Sequence, residues 1–328
     1  MGQYPLRGFM PADTALNGNN ITRKPNWAPI LGQWNITKTS LQFLGEGQNS
    51  AAHGQSFPIG LVVSNAAMQN GTSSVHIQFN APFGGSEQAA GIVLGYRSPE
   101  QHYIFAELGA ARSAYSLGEF VSGFGWRPLV ATGQVQNLQS ERDYALQVNL
   151  SGQELKVLVD GVPVLQHLLS HPLDGRQVGL IAAGNQKVSF SDFEVSSGRP
   201  RAFVVMQFAE PYDTFYREVI QKQAEAAGFE VFRIDEKAGP GVIFQDIQRE
   251  IEKAEIVVAE ITPANPNVFY ELGYAHALGK PTILLAQRGV DLPFDIRSFR
   301  VVFYNDTIGG KTEVERNLRN HLEAITGR

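Results

Sequence analysis

The run from Ile256 to Lys280, IVVAEITPANPNVFYELGYAHALGK, constrains this chain more than any other segment. Ile256 to Ile261 is apolar and rich in β-branched residues, the pattern of a strand covered on both faces of a parallel sheet. Thr262, Pro263, Asn265, Pro266 and Asn267 are turn and cap formers. Val268 to Leu278 then repeats apolar residues at helical spacing until Gly279 and Pro281 stop it. The spacing predicts Glu271 in the first turn of a helix that starts just beyond the carboxyl end of a strand. In open α/β sheets, ligands bind at that edge.

The rest of the chain from residue 199 extends the same alternation. Phe203 to Phe208, Glu230 to Ile234, Thr282 to Gln287 and Arg300 to Tyr304 read as strands. Tyr212 to Ala227, Ile243 to Ala254 and about Lys311 to Ile325 read as amphipathic helices. Repeated βα units give a five-stranded parallel, flavodoxin-like α/β sheet with helices on both faces.

Residues 1–198 follow another rule. Short alternating or apolar runs recur with turn signals between them, among them Ile59 to Ser64, Ser74 to Asn80, Gly91 to Tyr96, Tyr103 to Leu108 and Tyr144 to Leu150. Asp160-Gly161 between Leu155–Val159 and Val162–Gln166 is a tight-hairpin signal. An all-β sandwich or jelly roll is expected. GQWNIT early, GIVLGYR followed by HYIFAEL, and a closing GLIAAGNQKVSFSDFEV together resemble the concanavalin-like sandwich of lectins and laminin-G-like modules. That resemblance implies a possible glycan or small-molecule ligand.

Charge marks the boundary. The first 198 residues carry 24 charged side chains and the remaining 130 carry 35, so the divide is placed at Ser196-Ser197-Gly198-Arg199-Pro200. Two domains follow, a β-sandwich over 1–198 and an α/β unit over 199–328. A net charge of -5 offers no basic patch for nucleic acid or an anionic membrane. No apolar span is long enough to cross a bilayer, and no leader-like N-terminus is evident. The chain has no cysteine, which excludes disulfides and thiolate metal sites and fits a cytoplasmic location.

Several chemistries are disfavoured by missing motifs. GxGxxG, GxxxxGK[ST], GxSxG and HExxH are absent, and Gly239-Pro240-Gly241 lacks the remaining glycine and lysine of a phosphate loop. His53, His76 and His102 show no metal spacing, so no metal is expected. In the sandwich, Trp126, Tyr96, Tyr103 and Tyr115 suit either sugar stacking or core packing. The Gly118 to Trp126 segment reads as a recognition loop or a long strand connection. In the α/β unit the polar groups expected at strand ends are Gln207, Asp213, Asp235, Glu236, Glu260, Asn265, Asn267 and Glu271. Glu271 suits a reaction that develops positive charge, or serves the helix dipole. Asn265 and Asn267 suit ribose hydroxyls or turn capping. Arg233 suits a phosphate or a surface ion pair.

FVVMQFAEPYDTFYREVI, FEVFRIDE, NPNVFYELGYAHALGKP and LPFDIRSFRVVFYN together resemble the nucleoside 2-deoxyribosyltransferase-like branch of the TIR-like superfamily, over nearly all of residues 201–328. The resemblance implies cleavage of N-glycosidic bonds, with NAD or a nucleoside as substrate and no bound cofactor. It implies Glu271 as the catalytic group and Gln207, Asp213, Asp235, Glu260, Asn265 and Asn267 around the substrate. It also implies an antiviral effector in which a partner domain senses infection and homo-oligomeric assembly switches on the NAD-consuming domain. A nicotinamide leaving group needs no general acid. A nucleobase would, from Glu260, Asp235 or Asp213. The alternative is a non-enzymatic nucleotide-binding signalling module.

Overall fold

Two periodicities build two units. The computed structural model describes residues 25–46, 57–83, 87–98, 102–110, 113–236 and 243–326. In chain order, the strands of the first unit are β1 (Trp27–Leu31), β2 (Trp34–Ile36), β3 (Ser40–Phe43), β4 (Ile59–Ala67), β5 (Gly71–Phe79), β6 (Glu87–Arg97) and β7 (His102–Ala110). They continue as β8 (Tyr115–Val121), β9 (Gly125–Thr132), β10 (Asp143–Ser151), β11 (Glu154–Val159), β12 (Val162–Leu168), β13 (Gln177–Ala183) and β14 (Val188–Ser197). They form two antiparallel sheets, ordered β1-β4-β13-β6-β7-β8-β9 and β12-β11-β10-β5-β14-β3-β2.

Alternation decides which side chains fill the space between the sheets. In β5 Val75, Ile77 and Phe79 point inward, and on the neighbouring β10 Tyr144, Leu146, Val148 and Leu150 do the same. Asp160 and Gly161 both take positive φ (52° and 78°), joining β11 to β12 through the expected two-residue turn. β7 is apolar on both faces. Ile104, Ala106 and Leu108 enter the core between the sheets, whereas Tyr103 and Phe105 join Tyr96, Phe120 and Trp126 in a second cluster on the outer face.

The second unit comprises β15 (Arg201–Val205), α1 (Tyr212–Phe215), a π-helical turn (Tyr216–Ile220), α2 (Gln221–Ala226), β16 (Glu230–Arg233), α3 (Ile243–Lys253) and β17 (Ile256–Glu260). It closes with α4 (Pro266–Ala277), β18 (Thr282–Gln287), β19 (Val301–Tyr304) and α5 (Ile308–Thr326). All strand pairs are parallel, in the order β16-β15-β17-β18-β19. Counted within the unit this is 2-1-3-4-5, the doubly wound order of flavodoxin-like sheets. Ile256, Val257 and Val258 in the central strand are fully buried, and each such side chain contributes about 1.5–3 kcal/mol. α1, α2 and α5 cover one face, with Phe215 stacked on Tyr304 at 4.6 Å, and α3 and α4 cover the other.

Two sequence expectations shift. The first helix is one run interrupted by the π turn, and the last helix begins at Ile308, ahead of Lys311. No helix among the described residues is long and apolar enough to cross a membrane.

The sandwich ends at Ser197 and the parallel sheet begins at Arg201, so only three residues join the units. They also meet through the turn between β10 and β11. Gln153 is fully buried there. Its backbone N–H donates to the Glu252 carbonyl (3.0 Å), and its side-chain amide donates to the carbonyls of Leu169 (3.0 Å) and Leu278 (3.1 Å). Those acceptors at Glu252 and Leu278 lie at the carboxyl ends of α3 and α4, where helix carbonyls lack intrahelical donors. Gly152 takes φ +58°, and a Cβ there would meet the Glu252 carbonyl oxygen at 2.4 Å. Gly152→Ala is therefore expected to force the two units apart, and Gln153→Ala to cost about 1–3 kcal/mol in urea unfolding. A Gly152→Ala protein with unchanged unfolding midpoint would contradict this packing.

Candidate functional site at the carboxyl edge of the parallel sheet

In a 2-1-3-4-5 sheet the strand order reverses between β15 and β17, and their carboxyl ends open a crevice. Beyond β15, Met206 is buried, Gln207 half-buried and Phe208 47% exposed. At the end of β16 lies an arginine whose sequence position suits a phosphate or a surface ion pair, and which the fold buries in an ion-pair network. Arg233 is 7% exposed and grips Asp235 with two hydrogen bonds of 2.6 Å. Its third nitrogen donates to Asp213 at 2.8 Å. Its guanidinium lies over the rings of Tyr216 (4.4 Å) and Phe208 (5.2 Å). Tyr216, in the π turn, donates its hydroxyl to Glu236 at 3.1 Å. The structure thus brings Asp213 and Asp235 together, but as partners of a buried cation.

Glu260 ends β17 and is 1% exposed. Its Oε1 accepts the Thr262 backbone N–H at 2.9 Å. Burial pushes its carboxyl up to about 8, with the Thr262 and Tyr304 groups offsetting part of that rise, so it is mostly protonated at neutral pH. Tyr304 and Tyr212 flank it and belong to the core under α1 and α5.

Glu271 belongs to the opposite face. Asn265 caps α4 by accepting the Asn267 backbone N–H at 2.9 Å, and Pro266 occupies the first position. The helix therefore starts two residues before Val268, which corrects the expectation of a first-turn acid: Glu271 sits in the second turn. Val268, Leu272 and Ala275 press α4 onto the sheet, and Glu271 flanks that stripe, half-buried. No hydrogen bond or ion pair reaches its carboxylate among the described residues. Burial alone pushes it up to about 7. Tyr274, one turn on, donates to Glu252 of α3 at 2.6 Å. His276 contacts the Thr282 hydroxyl at 3.1 Å and stacks on Phe299. The side chains of Gln207 and Asn267 make no hydrogen bond among the described residues, and residues 237–242, which follow Glu236, lie outside the described residues.

Of the sandwich's aromatic candidates, Tyr96 and Tyr103 are buried, whereas Trp126 and Tyr115 are half-buried. Tyr96 is 4% and Tyr103 1% exposed, and with Phe105, Phe120 and Trp126 they pack on one another at 5.0–6.1 Å. Tyr115 is partly buried against the inner core. The expected loop from Gly118 to Trp126 is instead the hairpin of β8 and β9, with Phe124 at its tip 91% exposed. His53 lies outside the described residues, His76 pairs with Asp143, and among the described residues no His, Asp and Glu group is arranged to hold a metal.

No protein-family profile matches this chain, and no curated protein matches it. Among solved structures, carbohydrate-binding module CBM66 from Bacillus subtilis resembles 51% of this chain over 92% of its own length, at 16% identity and a TM-score of 0.41. Bacillus licheniformis β-glucanase resembles 55% over 95% of its length, at 10% identity and a TM-score of 0.38. The laminarinase catalytic domain of Thermotoga maritima resembles 56% over 95% of its length, at 13% and 0.39. Likenesses at this level carry no inference about ligand or activity.

Two outcomes test the geometry. Arg233→Met strands two part-buried carboxylates and is expected to cost about 3 kcal/mol in denaturant unfolding; a loss below about 1 kcal/mol, the range of surface pairs, would contradict it. Glu271 has a folded-state value raised from 4.5 to about 7, so its ionisation opposes folding above pH 4.5. Wild type is expected to lose stability relative to Glu271→Gln as pH rises from 4.5 to 7, with no further change above. A pH-independent difference would contradict the desolvation.

Proposed function

We propose that the α/β unit cleaves the N-glycosidic bond of a ribosyl nucleotide, with NAD as the preferred substrate and nicotinamide as the leaving group. The observation that carries this reading is Glu271, a desolvated carboxylate on α4, the helix that follows β17, with no partner among the described residues. Breaking a ribosyl C–N bond leaves an oxocarbenium-like carbon, which a carboxylate stabilises electrostatically or captures. A cation entering the site favours the ionised form of Glu271, so binding NAD would itself charge the group. The TIR-like and deoxyribosyltransferase-like resemblance of residues 201–328 supports the same role.

NAD is preferred because the other acids are committed. Asp213 and Asp235 are held by Arg233. Glu260 is protonated at neutral pH but sealed on the face opposite α4. Nicotinamide already leaves as a neutral molecule from a cationic bond and needs no proton, whereas a purine or pyrimidine does. Nucleoside deoxyribosyl transfer is therefore the second reading, and it depends on Glu260 gaining access to the base.

The sandwich acts in this proposal as the sensing or assembling unit of an antiviral effector. Two features support that role. Gln153 binds the carbonyl at the end of α4, the helix that carries Glu271. Phe294 (85% exposed), after β18, and Ile308 (95%), the first residue of α5, leave apolar surface that suits homo-oligomeric contact.

The test is release of nicotinamide from NAD, and of base from deoxynucleosides, by concentrated full-length protein. The expected result is nicotinamide release, reduced about 10²–10³-fold in Glu271→Gln. Equal inertness of wild type and variant under assembled conditions would refute the enzyme and leave a nucleotide-binding signalling module.

A further inference from the structure

A cavity of about 880 Å³ opens between the sandwich and the amino edge of the parallel sheet, the edge opposite Glu271's strand ends. Its walls come from both units. The sandwich supplies His102 of β7, Arg127 of β9, His167 of β12 and His171 of the loop that follows, and the α/β unit supplies Lys280. Lys280 is 5% exposed, and its ammonium donates to the carbonyls of Glu252 (2.6 Å) and Ala254 (2.7 Å), neutral acceptors that leave its charge in place.

The acids in the same walls are already engaged. Glu119 is ion-paired with Arg127, and Asp174 lies 3.9 Å from His102. Glu255 accepts the backbone N–H groups of Arg201 and Gly152. Nitrogen donors from five separate segments therefore converge on the space, Arg127 and His102 beside Glu119 and Asp174, and the side chains of His167 and His171 with no hydrogen bond or ion pair among the described residues.

The rest of the lining narrows the ligand. Among the described lining residues there is no Phe, Tyr or Trp, so nothing offers a stacking face to a nucleobase or a sugar ring. The rest of the lining includes the aliphatic Ile104, Leu129, Leu150 and Leu173 beside the polar Gln69, Ser170 and Arg176. The volume falls in the range of small-molecule sites. We propose that this inter-unit cavity binds an aliphatic anion, a carboxylate or phosphate head on a short saturated chain, with the head among the His, Arg and Lys donors and the chain against the leucines. Because both units form its walls, an occupant ties the sandwich to the α/β unit. The inference is independent of the glycosidic reading.

Calorimetric titration of the full chain with octanoate and with octyl phosphate tests it, with acetate, inorganic phosphate and octanol as head-only and chain-only probes. One equivalent of octanoate or octyl phosphate is expected to bind, at least about tenfold more tightly than any partial probe. His167→Ala and Arg127→Ala, both on the sandwich side and partly exposed, are each expected to weaken binding about tenfold. Glu271→Gln is expected to bind as wild type, which separates this site from the proposed catalytic one. Failure of both amphiphiles to bind, binding untouched by both substitutions, or inorganic phosphate or octanol binding as tightly as the whole amphiphile would each overturn the proposal.

Discussion

A strand buried on both faces has nowhere to place a charge except at its ends, and β17 imposes that rule on the α/β unit. Ile256, Val257, Val258 and Ala259 are fully enclosed between two helical layers. Polar chemistry is displaced to the two edges of the sheet. At the carboxyl edge stand Glu260, the Arg233 network and, on the following helix, Glu271. At the amino edge stand Glu255 and Lys280, pressed against the sandwich. Burial moves four of these groups in the direction that disfavours charge: the carboxyls of Glu255, Glu260 and Glu271 rise to about 7, 8 and 7, and the Lys280 amine falls to about 8.

The edges differ in how that cost is met. Arg233 settles two carboxylates at once through planar, forked hydrogen bonds under aromatic rings, a geometry that lysine could not supply. Glu255 is met by two backbone donors, one from each side of the boundary between the units. Glu271 has no such compensation among the described residues. A desolvated, uncompensated carboxylate costs stability unless something cationic visits it, and a group retained at such a cost suits function better than folding.

The architecture was readable where one physical rule dominates. Period-two alternation announced β5 and β10, Asp160-Gly161 announced its hairpin, and the apolar run at Ile256 announced the central parallel strand. The helix after β17 starts earlier than its apolar spacing suggests because Pro266 and Asn267 read as turn and cap formers, whereas a proline at the first position of a capped helix lacks only an N–H that would have had no partner. The aromatics of β6, β7 and β8 read equally well as ligand platforms or core, because a strand apolar on both faces gives no hint of which face is covered.

The site was less legible than the fold for a related reason. Arg233 and Asp235 are two apart in sequence, a spacing that invites an ion pair, but Asp213 comes from another helix and only the sheet order brings it there. Gln153, 125 residues from Leu278, carries no signal that it joins two units. Long-range pairing of this kind leaves no periodic trace.

The most direct measurement is a crystal structure with a non-hydrolysable NAD analogue bound. The result expected is a ribose lying across the reversal between β15 and β17, its anomeric carbon facing the Glu271 carboxylate and its nicotinamide toward Phe208. A ribose held elsewhere, with Glu271 turned to solvent or packed under its neighbours, would contradict the central claim that this desolvated acid is the reacting group.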